Sequence, residues 1–153
     1  MTHLKALAID PGGTTGYAWT EDGNVYHEQS GVWALDKIKD PGRRYAYLVA
    51  QIEAYEPEFL FFEVAQGLRG RDARRWHGGY LAAVQIYAER ASVAVVTVTP
   101  SELKKYATGY GRSDKMDMLN AAQRVFGVKG PKDDNAVDAL WILEWGLEML
   151  RDH

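Results

Sequence analysis

The 153-residue sequence has no cysteine. Disulfides, thiolate metal sites and cysteine nucleophiles are therefore excluded. Long apolar runs are missing too: none approaches the ~18 residues that span a bilayer. The amino terminus carries no basic-then-apolar leader. Histidine is scarce, and the 4 present show no ligand spacing: His3 and His153 are terminal, and His27 and His77 read as surface or packing residues. No Ser-His-Asp set is apparent. Repeats, low-complexity tracts and linkers are absent as well, which predicts one ordinary domain over 1–153 with room for a real core. The expectation is a soluble, cytoplasmic protein.

An excess of positive charge is also lacking, since the formal net charge is −3. That total argues mildly against non-specific binding of nucleic acid, but it hides a distribution. Arg69, Arg71, Arg74 and Arg75 cluster in QGLRGRDARRW, opposed only by Asp72. Lys104, Lys105, Arg112 and Lys115 lie in SELKKYATGYGRSDK. Patches of this kind bind phosphate backbones despite an acidic total. A solvated surface of uneven charge is the other reading.

What is present is a series of short apolar runs. LKALAI reads as a strand and GYAWT as its hairpin partner, with VYHEQSGVWAL a third strand after the turn signal at Asp22–Asn24. RRYAYLVAQIEAYEP places Tyr45, Leu48, Val49 and Ile52 at helical spacing. EFLFFE and VAVVTV read as buried strands of a sheet covered on both faces. WHGGYLAAVQIYAERA reads as a helix, and SELKKYA as a short one introduced by Pro100 with Ser101 as cap. DKMDMLNAAQRVFG and DDNAVDALWILEWGLEMLRD complete the set, separated by the loop GVKGPK. The order β-β-β-α-β-α-β-α-α-α predicts an α/β fold: a five-stranded mixed sheet, its first three strands antiparallel and the rest parallel, with helices on both faces. This is the layout of ribonuclease H-like domains.

Four carboxylates look out of place in that scheme. Asp10 ends the first strand before a Pro-Gly-Gly turn, and Glu63 ends FLFFE. Asp134 and Asp138 fall four apart at the start of the last helix, about 40° from each other in azimuth, and so share a face. Asp133 lies about 140° from Asp138 and reads as the helix cap. Each acid alone has a plain reading: a turn former, a strand-end charge, a charge favoured by the helix dipole. Asp138 fits such a reading least, because the apolar run ALWIL follows it directly. Together they suggest a cation site, since converging carboxylates repel unless cations neutralise them. Oxygen-only ligands select hard ions such as magnesium or manganese. Two such ions about 4 Å apart activate a water and stabilise the leaving oxygen of a phosphodiester.

IDPGGTTGYA, FLFFEVAQG, TPSELKKYATGYGRSDK and DDNAVDAL, in that order and at those separations, resemble the motifs of RuvC-like Holliday junction resolvases, particularly compact phage-type members. The resemblance covers Leu4 to about Leu147. It implies a homodimeric, metal-dependent endonuclease that nicks four-way DNA junctions symmetrically in the cytoplasm of a bacterium or phage host. It implies two magnesium ions per site, with manganese able to substitute. Asp10 would bridge the metals, Glu63 and Asp134 would complete the shell, and Asp138 would hold the water-activating ion; Asp133 stands as the other choice for the fourth ligand. Lys104 or Lys105, together with Lys115, match basic residues that contact the scissile phosphate and its neighbours. Gly78 and Gly79 suit a helix-to-helix dimer contact, unless the helix starts only at Tyr80.

The sequence also departs from the family pattern. The turn after Asp10 is one residue shorter than in typical bacterial members, and the last helix has a four-residue step between acids instead of three. Leu68 and an arginine-rich loop stand where bacterial members place an aromatic residue after the strand-end Glu, which extends the expected substrates to flaps and forks. Two readings of another class remain. DPGGTTG resembles the first phosphate loop of actin-like ATPases, but their second Asp-x-Gly loop is not in this sequence. A non-catalytic junction-binding protein would have to tolerate an acid set that repels DNA.

Overall fold

The computed structural model describes residues 3–128 and 133–152. Most of the expected loop GVKGPK lies outside the described residues. The first apolar run forms β1 (Ala6–Asp10), buried along its whole length. The Pro11–Gly13 turn leads into β2 (Thr14–Thr20), and β3 (Ser30–Ala34) follows. This third strand is shorter than expected, because His27–Gln29 make a 3-10 turn ahead of it. Next come α1 (Pro41–Ala54), β4 (Phe59–Glu63), α2 (Arg71–Ala91) and β5 (Ala94–Val98). Three helices close the chain: α3 (Pro100–Thr108), α4 (Lys115–Phe126) and α5 (Asp134–Arg151).

The sheet order is β3-β2-β1-β4-β5. β1 runs antiparallel to β2, and β2 to β3, while β1, β4 and β5 are parallel. This is the mixed sheet that the element order predicts. β4 is an interior strand and carries Phe61 and Phe62, both fully buried and pointing to opposite faces. Burying each contributes roughly 1.5–3 kcal/mol. β5 is an edge strand with Ala94 and Thr97 exposed, so VAVVTV is not buried as expected.

Period-two alternation splits the core. Ala6, Ala8 and Phe61 face α3, α4 and α5, whereas Leu7, Ile9, Leu60 and Phe62 face α1 and α2. The alanines are small, and the helix they admit, α5, is buried from Ala136 to Leu147 apart from Asp138 and Glu144. A helix apolar on most sides is what a central position requires.

Capping explains two helix starts. Thr99, not Ser101, caps α3, accepting from the Glu102 amide while Glu102 reaches back. Pro100 then fills the first helical position, where no amide hydrogen is needed. Asp114 and Asp117 make the same reciprocal box at α4. α2 begins five residues before Trp76, so Arg71, Arg74 and Arg75 are on the helix and both Gly78 and Gly79 are inside it. The close approach that Gly79 permits is to the Tyr45 ring of the same chain, which occupies the place of a Cβ. Gly78 has open space.

Candidate active site

Parallel pairing sets β1 and β4 side by side, with Ile9 opposite Phe62. Their carboxyl ends therefore lie at one edge, and Asp10 and Glu63 come out together there. The Pro11–Gly13 turn is fixed from within: the buried Thr15 hydroxyl donates to the Gly12 carbonyl (2.7 Å) and accepts from the Gly12 amide (3.3 Å).

Helix α5 supplies the opposing wall. Asp10 pairs with Gly16 across the hairpin. The Asn135 carbonyl presses on Gly16 where any side chain would stand. That contact seats the start of α5 over the end of β1 and delivers Asp138 one turn further in. Asp133 caps the helix, accepting from the Asn135 amide at 2.8 Å, as the spacing predicts.

The electrostatics of this edge bind the acids into one group. Asp10 is 8% exposed. Burial first, then the charges of Glu63 and Asp138, push its carboxyl well above the usual range. A hydrogen bond shared with Glu63 adds to the rise, and Asp133 adds a smaller charge effect. Glu63 is pushed up to about 7, chiefly by burial and next by the Asp138 charge; Lys104 works against this. Asp138 rises to about 6 through burial and the Asp134 charge, opposed by Lys115 and Lys104. Oxygen donors that raise one another's affinity for protons also raise it for a hard cation. Among the described residues, no three His, Cys, Asp or Glu side chains are closed into a ready chelate.

The remaining predicted residues divide. Asp134 is exposed at the rim and pairs with Lys115 at 3.2 Å. Lys104 faces Glu63 and Asp138, and with Lys115 it lines a cleft of about 360 Å³ over them. Lys105, the next helical position, is exposed and turned away from the acids. Arg112 is exposed in the loop before α4, where Ser113 is buried and held by Thr108 and the Tyr110 carbonyl. Arg69, Arg71, Arg74 and Arg75 are exposed across the edge, at the start of α2.

Asp133, the other choice for the fourth ligand, contributes charge to the acid group besides capping α5. One feature escaped the sequence reading. Arg44, which looks like a surface residue of α1, is 5% exposed and lies against Trp76. No spacing rule marks a buried cation.

A five-stranded mixed sheet of this order, with acids at the shared end of β1 and β4 and helices on both faces, defines a ribonuclease H-like protein. Solved structures agree: the Thermus thermophilus RuvC, solved in complex with Holliday junction substrate, superposes with a TM-score of 0.74 at 22% identity, covering 98% of this chain and 97% of that one. No family model matches the chain. Among curated proteins, the crossover junction endodeoxyribonuclease RuvC of Thermosipho melanesiensis is 30% identical over 152 residues, covering 90% of this chain and 92% of the relative. That of Rubrobacter xylanophilus is 29% identical over 159 residues, covering 93% and 84%. The chain belongs to the RuvC family of crossover junction endodeoxyribonucleases.

Proposed function

We propose that this protein is a metal-dependent endonuclease that resolves four-way DNA junctions as a homodimer, the whole chain serving as one nuclease domain in the cytoplasm. The observation that carries this reading is the meeting of Asp10, Glu63 and Asp138 at one sheet edge, in a member of this family. The donor set is all oxygen and carries an excess of negative charge, which fits magnesium or manganese. A pair of such ions, when bound, would supply an activated water and charge compensation for the leaving oxygen. Asp10, whose carboxyl feels the charges of both Glu63 and Asp138, would be the ligand shared by the ions. Glu63 and Asp138 flank it, and Asp134 or Asp133 completes the set from the rim. Lys104 and Lys115 stand over the acids and would hold the phosphate of the strand to be cut. Arg112 and Lys105 extend that basic side, while Arg69, Arg71, Arg74 and Arg75 would take backbone phosphates across the edge.

A line of residues on α2 supports the homodimer. Gly78, Ala82, Gln85, Ile86 and Glu89 recur at helical spacing on one face, and Ile86 is 55% exposed. A mid-helix glycine costs about 1 kcal/mol relative to alanine, and among the described residues no contact accounts for Gly78. Approach of a second α2 would. A groove of about 630 Å³ between α1 and α2, walled by Val49, Ala83 and Ile86, extends the same apolar face.

The test is a cleavage panel of four-way junction, flap, fork and linear duplex, with magnesium and with manganese. Paired nicks in opposite strands of the junction are the expected result. Equal cutting of linear duplex would sink junction specificity, and preference for flaps or forks would redirect it.

A further inference from the structure

His77 sits on α2, behind the strand that ends in Glu63. Its ring packs on Phe62, with ring centres 5.8 Å apart. Its Nε2 accepts a hydrogen bond from the Ala65 amide at 3.2 Å. One side chain thus holds both the residue before Glu63 and the residue two after it. Phe62 points to the α1 and α2 side of the sheet. By alternation Glu63 points the other way, toward Asp138, whose charge it feels. His77 therefore lies behind the carboxylate, not beside it.

The neighbouring ties show what that bond adds. The Val64 amide continues the pairing of β4 with β5 by donating to the Val98 carbonyl at 2.8 Å. From Gln66 to Gly70, among the described residues, no backbone amide is held by a hydrogen bond. The bond from Ala65 to His77 is thus the last restraint on the chain as it leaves Glu63 for the loop. Without it the free segment begins one residue closer to the acid.

The bond also fixes the form of the ring. Nε2 can accept only when it carries no proton, which puts the proton of the neutral imidazole on Nδ1. Burial favours the neutral form and holds the pKa below the usual histidine value. His77 shares with Asp36, Lys39 and Arg44 the lining of a cavity of about 420 Å³ between the Pro11–Gly13 turn and the start of α2. The single carboxylate there is outnumbered by two cations, so nothing in the cavity calls for a charged imidazole. A residue needed only for packing on Phe62 would require neither the acceptor nor the tautomer.

We propose that His77 is a positioning residue: through the Ala65 amide it holds the end of β4, so that the Glu63 carboxylate keeps its place in the acid group. The inference rests on the nuclease reading and adds to it a residue outside the acids themselves.

The experiment compares His77→Leu, which keeps apolar bulk but cannot accept, with His77→Gln, whose side-chain oxygen reaches the place of Nε2. Each is read in three ways: junction affinity by gel shift, single-turnover nicking of a four-way junction with magnesium, and manganese affinity of the protein alone by calorimetry. His77→Leu should nick about ten- to a hundredfold more slowly and bind manganese about tenfold more weakly, with junction affinity unchanged. His77→Gln should recover most of both losses. A His77→Leu protein that nicks at the wild-type rate overturns the proposal and leaves the nuclease reading standing. A His77→Gln protein as slow as His77→Leu does the same, because it reduces the ring to packing. Should the variants melt early, the imidazole nitrogen shifts of the wild type decide by NMR: an unprotonated Nε2 with a protonated Nδ1 is expected, and the reverse tautomer overturns the bond. A wild type that nicks no branched DNA overturns the nuclease reading and this one with it.

Discussion

On one face of the sheet, α5 lies against Ala6, Ala8 and Ala18 and brings Asp138 to the strand ends. On the other, α1 and α2 pack through rings: Tyr45, Trp76 and Tyr80 interlock, with Arg44 held against Trp76. The first face is close-fitting and places charge; the second is bulkier, leaves a cavity and a groove, and ends in arginines. The difference separates two demands on a nuclease of this kind. Holding repelling acids at fixed positions calls for backbone-to-backbone contact, whereas accepting a variable partner calls for spare volume and planar surfaces.

The largest effect should come from the face that holds the acids. Asp10→Asn should lower junction cleavage by about a thousandfold or more while junction binding, read by gel shift, persists. Undiminished cleavage would remove Asp10 from the chemistry and level the two faces.

Next in size is a stability effect confined to the same edge. Glu63 and Asp138 have folded pKa values above their unfolded ones, so the folded state binds more protons and is favoured at low pH. That contribution is full below about pH 4 and lost as pH rises through about 6 and 7. Without divalent ions the melting temperature should fall by roughly 5 °C between pH 5 and 8, and magnesium should restore it at pH 8. Glu63→Gln should flatten the profile. A melting temperature independent of both pH and magnesium would count against a cation site.

The α1/α2 face is probed by Ile86→Glu, which should raise the dimer dissociation constant by roughly tenfold or more in sedimentation equilibrium, with the monomer still folded. An unchanged constant would move the dimer contact elsewhere. The smallest effect separates neighbouring lysines. Lys115→Ala should reduce the salt slope of junction binding by about one, while Lys105→Ala, turned from the acids, should change it less. Equal slopes would return Lys115 to the solvated surface.

The architecture was legible because its signals are local. The unbroken apolar run in LKALAI, the turn after Asp10 and the amphipathic spacing of RRYAYLVAQIEAYEP each need only their neighbours. Asp10 and Glu63 could be singled out because a charge at the end of an apolar run is conspicuous. What stayed hidden depends on distant parts of the chain. The start of α2 at Arg71 was missed because Arg71–Arg75 are charged and carry no apolar spacing beyond Ala73, and only Tyr45 on another helix gives Gly79 its reason. The edge position of β5 follows from sheet order, which its own residues do not encode. Arg44 shows the same thing most plainly, since an arginine among helix-surface residues gives no sign of the indole that covers it.

The Asn135–Gly16 contact has a consequence for how such a site can vary. It acts as a datum: the height of Asp138 above Asp10 is set where two backbones touch, not by the length of chain leading to Asp133. Residues can be gained or lost ahead of that point while the distance between the acids holds. Adding a single methyl group at position 16, by contrast, would lift the helix and mistune every oxygen at the edge together.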